Sequence, residues 1–150
     1  MHRVTQSSDA DPTERLIATA ESWPGVETAP HRYSATEFRL FGREFGHVHR
    51  GGVLDVNFPK RVRDHLIASE RAATHRFAPD TGWTTYDLRD SADLDGGLWL
   101  LRLAYCYRLA TKRSRPAAAE LLETVDLDAE IRDLELDAEL DAVFERLLVR

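Results

Sequence analysis

The stretch from Arg43 to Pro59 constrains this chain more than any other, because its residues alternate with a period of two on either side of Gly51-Gly52. A period of two sends successive side chains to opposite faces of a sheet, so the stretch reads as a β-hairpin. Arg50-Gly51-Gly52 supplies a loop that tolerates positive φ. A three-residue loop there sets His49 opposite Val53, His47 opposite Asp55 and Phe45 opposite Asn57. One face of the hairpin then holds Val48, Leu54 and Val56, and the other holds His47, His49, Asp55 and Asn57.

The strand before it, Thr36 to Phe41, also alternates polar and apolar residues, and Gly42-Arg43-Glu44 reads as its turn. That register places Arg39 opposite His47, Glu37 opposite His49, Phe38 opposite Val48 and Phe41 opposite Phe45, which adds Glu37 and Arg39 to the histidine face. Val26 to Arg32 leads into this strand. Upstream, Asp11-Pro12-Thr13-Glu14 opens a helix with an N-cap, a proline at N1 and a capping-box glutamate. Downstream, Lys60 to Glu70 reads as a helix and Ala72 to Phe77 as a short strand or extended connection carrying His75. Trp83 to Leu88 reads as a strand, and a long helix follows, capped by Asp90 or Ser91 and ending near Arg113. Gly96-Gly97 inside that helix implies close packing on the sheet. Pro116 to about Val125 and Ala138 to Val149 predict two further helices joined by an acidic connection.

The expected fold class is therefore α+β: an antiparallel β-sheet of about 4–5 strands with helices packed on one face, plus C-terminal helices. Residues 1–11 are polar and read as a disordered N-terminal segment, 12–113 as the α+β domain, and 114–150 as an acidic helical extension. A chain of 150 residues can bury a core without disulfides or a structural metal.

Charge sharpens the boundary near 114. The net charge of −6 divides into +2 over residues 1–116 and −8 over 117–150. A net negative chain with dispersed basic residues lacks the concentrated basic face that nucleic acid requires, so no nucleic-acid partner is expected. The lone Cys106, in an apolar helical run, reads as a small buried hydrophobe and fits a reducing compartment. No run has signal-peptide character or the length of a membrane span, so the expected setting is cytoplasmic, with no membrane partner.

Three readings fit the polar face. Histidines at i and i+2 on a strand project together, and an Asp or another His from a neighbouring strand could complete a facial metal set. A histidine tuned by Asp55 or Glu37 could instead do metal-free acid–base or orienting work. Cross-strand pairs on a solvated face account for the same residues without any site. No phosphate-cradling glycine motif, nucleophile elbow or zinc-finger cysteine set is present.

A family resemblance shifts the weight among these readings. The elements Gly46-His47-Val48-His49, Phe58-Pro59-Lys60-Arg61-Val62-Arg63-Asp64, Gly82-Trp83 and the Leu100 to Tyr105 helix, in this order, resemble the luciferase-like domain family, named after fungal luciferase and including many small prokaryotic proteins. The likeness covers roughly residues 23–108 and implies that His47, His49, Asp55, His75 and Trp83 occupy the family's characteristic positions. The fungal enzyme oxygenates a hydroxylated pyrone with molecular oxygen without a recognised metal cofactor. The resemblance thus implies a small-molecule-binding protein or cofactor-independent oxygenase-like enzyme, with His47, His49, Asp55 and His75 as catalytic candidates. Arg39, Asn57 and Trp83 are candidates for contacting the substrate. No cofactor is implied, and a metal at His47 and His49 stays open. Element order also resembles small YjbR-type domains, which makes a non-catalytic ligand-binding or protein-interaction module the alternative, and a homodimer through the sheet face or C-terminal helices is compatible with either.

Overall fold

A computed structural model describes residues 11–149. Helix α1 (Pro12–Glu21) starts as expected, with the Asp11 carboxylate accepting from the Thr13 N–H at 3.1 Å; the expectation for the segment before Asp11 lies outside the described residues. Strands β1 (Val26–His31), β2 (Ala35–Leu40), β3 (Arg43–Val48) and β4 (Val53–Asn57) follow, then helix α2 (Lys60–Ala68) and strands β5 (Ala73–Thr74) and β6 (Trp83–Asp87). After a 3-10 turn at Ser91–Asp93 come α3 (Leu94–Lys112), α4 (Pro116–Leu121), α5 (Leu127–Asp133) and α6 (Ala138–Leu148). The strands form a six-stranded antiparallel sheet in the order β1-β2-β3-β4-β6-β5, slightly larger than expected because β1 is a full strand and β5 pairs with β6. The class is α+β, as the sequence predicts.

The second hairpin has the expected register, with His47 opposite Asp55 and Val48 opposite Leu54. The first does not. Its turn is two residues, Phe41 and Gly42, both at positive φ, so Leu40 pairs with Arg43 and Arg39 with Glu44. A bulge then intervenes, after which Phe38 pairs with Gly46 and Glu37 with His47. The expected pairing was therefore off by two residues beyond the bulge, and an error of two preserves which face each side chain occupies. The bulge has its own effect: Phe45 is the extra residue, and it joins Phe38 in the core with ring centroids 6.3 Å apart. Glu44 moves to the histidine face.

Helix α3 lies on the apolar face of the sheet, against β3 and β4, with α1 beside it and α5 and α6 on its outer side. It is consequently buried over most of its circumference, from Leu100 and Leu101 to Leu109 and Ala110, with Arg102, Tyr107 and Arg108 partly exposed. Gly96 and Gly97 sit where it meets the sheet: a Cβ at Gly96 would stand 2.3 Å from the Tyr86 hydroxyl, and one at Gly97 3.0 Å from Leu88. The acidic connection holds α5, whose N-cap Asp126 accepts from the Ala129 N–H at 3.1 Å. Val125, Leu134, Leu140 and Phe144 belong to the same core cluster as Leu16, Phe38 and Tyr105. Among the described residues, no helix covers the opposite face of the sheet.

Cys106 is fully buried in this core, and burial pushes its thiol up to about 12. Thiol reagents at about pH 8 are expected to label it only after unfolding, since the thiolate is the reactive form. Rapid labelling of the native chain would show that α3 is not packed in this way.

Candidate functional site

The uncovered face is concave. Glu37 on β2, His47 on β3, Asp55 on β4 and Thr85 on β6 form one row of directly paired residues on it, and His31 on β1 shares the face because it lies two residues from Ala29, the partner of Glu37. A cavity of about 600 Å³ lies over these strands, bounded by His47, His49, Asp55, Thr85 and the β5 segment from Ala73 to Phe77.

Asp55 is the centre of the arrangement, and it is 4% exposed. Its Oδ1 accepts from the Thr85 hydroxyl at 2.8 Å. Its Oδ2 faces three imidazoles: His47 Nε2 at 3.1 Å, His49 Nε2 at 3.4 Å and His75 Nε2 at 3.6 Å. Burial alone would raise the carboxyl's pKa, but the contacts from His47 and Thr85 and the charges of His75 and His47 outweigh it and hold it below the ordinary value. His47 is 8% exposed and is gripped on its other nitrogen as well, with Nδ1 2.6 Å from Glu44 Oε2. Burial disfavours its charged form, yet the carboxylates of Asp55 and Glu44 on its two nitrogens raise its pKa to about 9. His75 is oriented by its own loop, since the Phe77 N–H donates to Nδ1 at 3.1 Å. That bond leaves the proton of a neutral His75 on Nε2, directed at Asp55.

The structure brings four of the expected residues, His47, His49, Asp55 and His75, to one point. Trp83 packs beside them, its ring 5.3 Å from that of His47 and 6.3 Å from that of His75, although it does not line the cavity. Arg39 and Asn57 are not brought to the cavity wall. Arg39 donates to the Gly42 carbonyl at 2.8 Å and approaches Glu37 at 3.4 Å, because the two-residue turn draws its guanidinium to the hairpin end. Asn57 lies at the end of β4 opposite Trp83, beside Gly82.

Three residues of the cluster escaped sequence reasoning: Thr85, Glu44 and His31. Glu44 reads as a turn residue until the bulge rotates it onto the face. His31 stacks on His47 with centroids 4.2 Å apart and 13° between planes, and its buried Nδ1 has no hydrogen-bond partner. The alternation Glu27, Ala29, His31 was a usable signal for it, provided β1 is paired to β2. Tyr33 and Phe77 flank the cavity from the β1–β2 and β5–β6 connections and are 82% and 83% exposed.

Residues 42–104 match the family model described as Luciferase domain. No curated protein and no solved structure matches the chain. Among the described residues no helix is long and apolar enough to cross a membrane.

Proposed function

We propose that this luciferase-domain chain binds a small organic molecule over the histidine face, as a ligand-binding protein or an oxygenase-like enzyme acting there. One observation carries the reading. Of the four large apolar side chains exposed among the described residues, Tyr33, Val53 and Phe77 all border the one cavity whose floor holds His47, His49 and Asp55. Exposed apolar groups gathered around convergent polar ones are the composition of a ligand pocket. Tyr33 and Ser34 also hold positive φ, 59° and 64°, an unfavourable conformation for non-glycine residues that projects Tyr33 at the cavity mouth. In this pocket Tyr33 and Phe77 would grip a planar apolar body, while His49 and His75, both less buried than His47, would exchange or orient a proton on its polar group. Asp55 would set their orientation, and Trp83 would hold the His47 and His75 rings in place from the side.

The test is a thermal-shift screen of hydroxylated ring compounds against the wild type and a Tyr33→Ala/Phe77→Ala double variant. A ligand at a hundred times its Kd should add about 2.7 kcal/mol of stability to the wild type. The double variant should match the wild type within about 0.5 kcal/mol without ligand, since both side chains are solvent-exposed, and should lose the shift. A screen without any hit, or hits that the double variant binds equally well, would reject the pocket.

A further inference from the structure

We infer that His47, His49 and Asp55 form a binding site for one divalent first-row transition-metal ion, with its open coordination positions facing the cavity. The inference goes beyond the ligand pocket and does not depend on it. Its basis is the placement of donor atoms. The Nε2 atoms of His47 and His49 lie 3.1 and 3.4 Å from Asp55 Oδ2, and the three donor atoms all fall within 4.8 Å of one another. Ligands held ~2.0–2.2 Å from a common ion stand roughly 2.8–3.6 Å apart in octahedral or tetrahedral geometry, a range that both Asp55–imidazole distances already meet. Two imidazoles and one carboxylate on one side of an ion are the donor set of facial mononuclear sites.

The surroundings prepare each donor. Thr85 occupies Asp55 Oδ1 at 2.8 Å, which leaves Oδ2 to point at the imidazoles. Glu44 holds His47 Nδ1 at 2.6 Å, the outer carboxylate–histidine contact that orients a ligating imidazole and leaves the Nε2 lone pair for the metal. His47 and Asp55 are directly paired on adjacent antiparallel strands, and His49 follows the last residue of β3, held there by its N–H donating to the Val53 carbonyl at 2.9 Å. His75 is different. Its Nδ1 already accepts from the Phe77 N–H, which puts the proton on Nε2, so it approaches Asp55 as a donor and stays outside the ligand set.

The experiment uses the full chain without an affinity tag, stripped with EDTA, and titrates it with Co²⁺ while recording visible absorption, followed by competition with Zn²⁺. One equivalent of Co²⁺ should develop ligand-field bands that Zn²⁺ abolishes. His49→Gln and Asp55→Asn should each weaken Co²⁺ binding by at least about tenfold, and Glu44→Gln by about 10–100-fold, while His75→Ala should leave the bands in place. Melting curves in EDTA verify that each variant is folded, and His49→Gln, at a partly exposed position, keeps the test decisive if Asp55→Asn is not. No stoichiometric uptake by the wild type, or unchanged uptake by His49→Gln, overturns the site. Running the ring-compound screen in EDTA separates the two proposals: uptake of Co²⁺ without any ligand hit rejects only the pocket, and a hit without uptake rejects only the metal.

Discussion

Replacing Phe45 by alanine is expected to lower the unfolding free energy by about 3–5 kcal/mol. The side chain is fully buried, with its ring centroid 6.3 Å from those of both Phe38 and Tyr105. Removing it leaves a cavity where α3 crosses the sheet, and the surrounding strands can collapse only partly into it. Phe45 is also the bulged residue, and its burial is what keeps β3 from resuming regular alternation. Without that anchor Glu44 is expected to lose its 2.6 Å contact with His47, so the substitution should disturb the site as well as the core. Guanidinium unfolding measures the first effect. A loss below about 1.5 kcal/mol would mean that neighbouring side chains refill the space, contrary to the packing described. The ring-proton spectrum of His47 measures the second, and an unchanged signal would disconnect the bulge from the site.

The Asp55→Ala variant should be comparably damaging, by about 3–5 kcal/mol, for an electrostatic reason. The carboxylate is buried among His47, His49, His75 and the Thr85 hydroxyl, and its removal leaves the His47 Nε2 and a hydroxyl without their partner, with Glu44 alone remaining on His47 Nδ1. Asp55→Asn, which keeps the shape and an acceptor for Thr85, should cost less than Asp55→Ala. Equal stabilities of wild type and Asp55→Ala in EDTA would show that the histidines need no counter-charge. The same pair gives a direction in pH for the chelated protein. His47 is raised from 6.5 to about 9, so its contribution is complete below about pH 6.5 and is lost as pH rises through 9. Asp55 is lowered, so its contribution is present above its unfolded value and is lost as pH falls through the folded one. Against total stabilities of about 5–15 kcal/mol, either alanine substitution consumes a large part of the margin.

Much of the site could be read in the sequence because strand alternation is a local property. His47, His49 and Asp55 share a face once the Gly51-Gly52 loop is recognised, and that loop announces itself. Even the misread first hairpin kept Glu37 on the correct face, since its register error was an even number. What alternation cannot reveal is its own interruption. The bulge at Phe45 inverts Glu44, and the residue types around it give no warning, because a glutamate after Gly42-Arg43 is as suitable for a turn as for a strand. Arg39 shows the complementary failure: it is on the expected strand, but a turn one residue shorter gave its guanidinium the Gly42 carbonyl as a nearer partner.

The sequence by itself determined most of the elements, the α+β class, the apolar and polar faces and the placing of His47 and His49 on one face with Asp55, since each depends on residues close in the chain or on a single tight turn. Only the tertiary structure decided that His31 stacks on His47 and that Glu44 grips its second nitrogen. It alone also brought His75 from the β5 segment to the same carboxylate oxygen. Those contacts depend on how strands far apart in sequence are ordered and where one of them bulges, and that is settled by the burial of Phe45 and α3 on the opposite face.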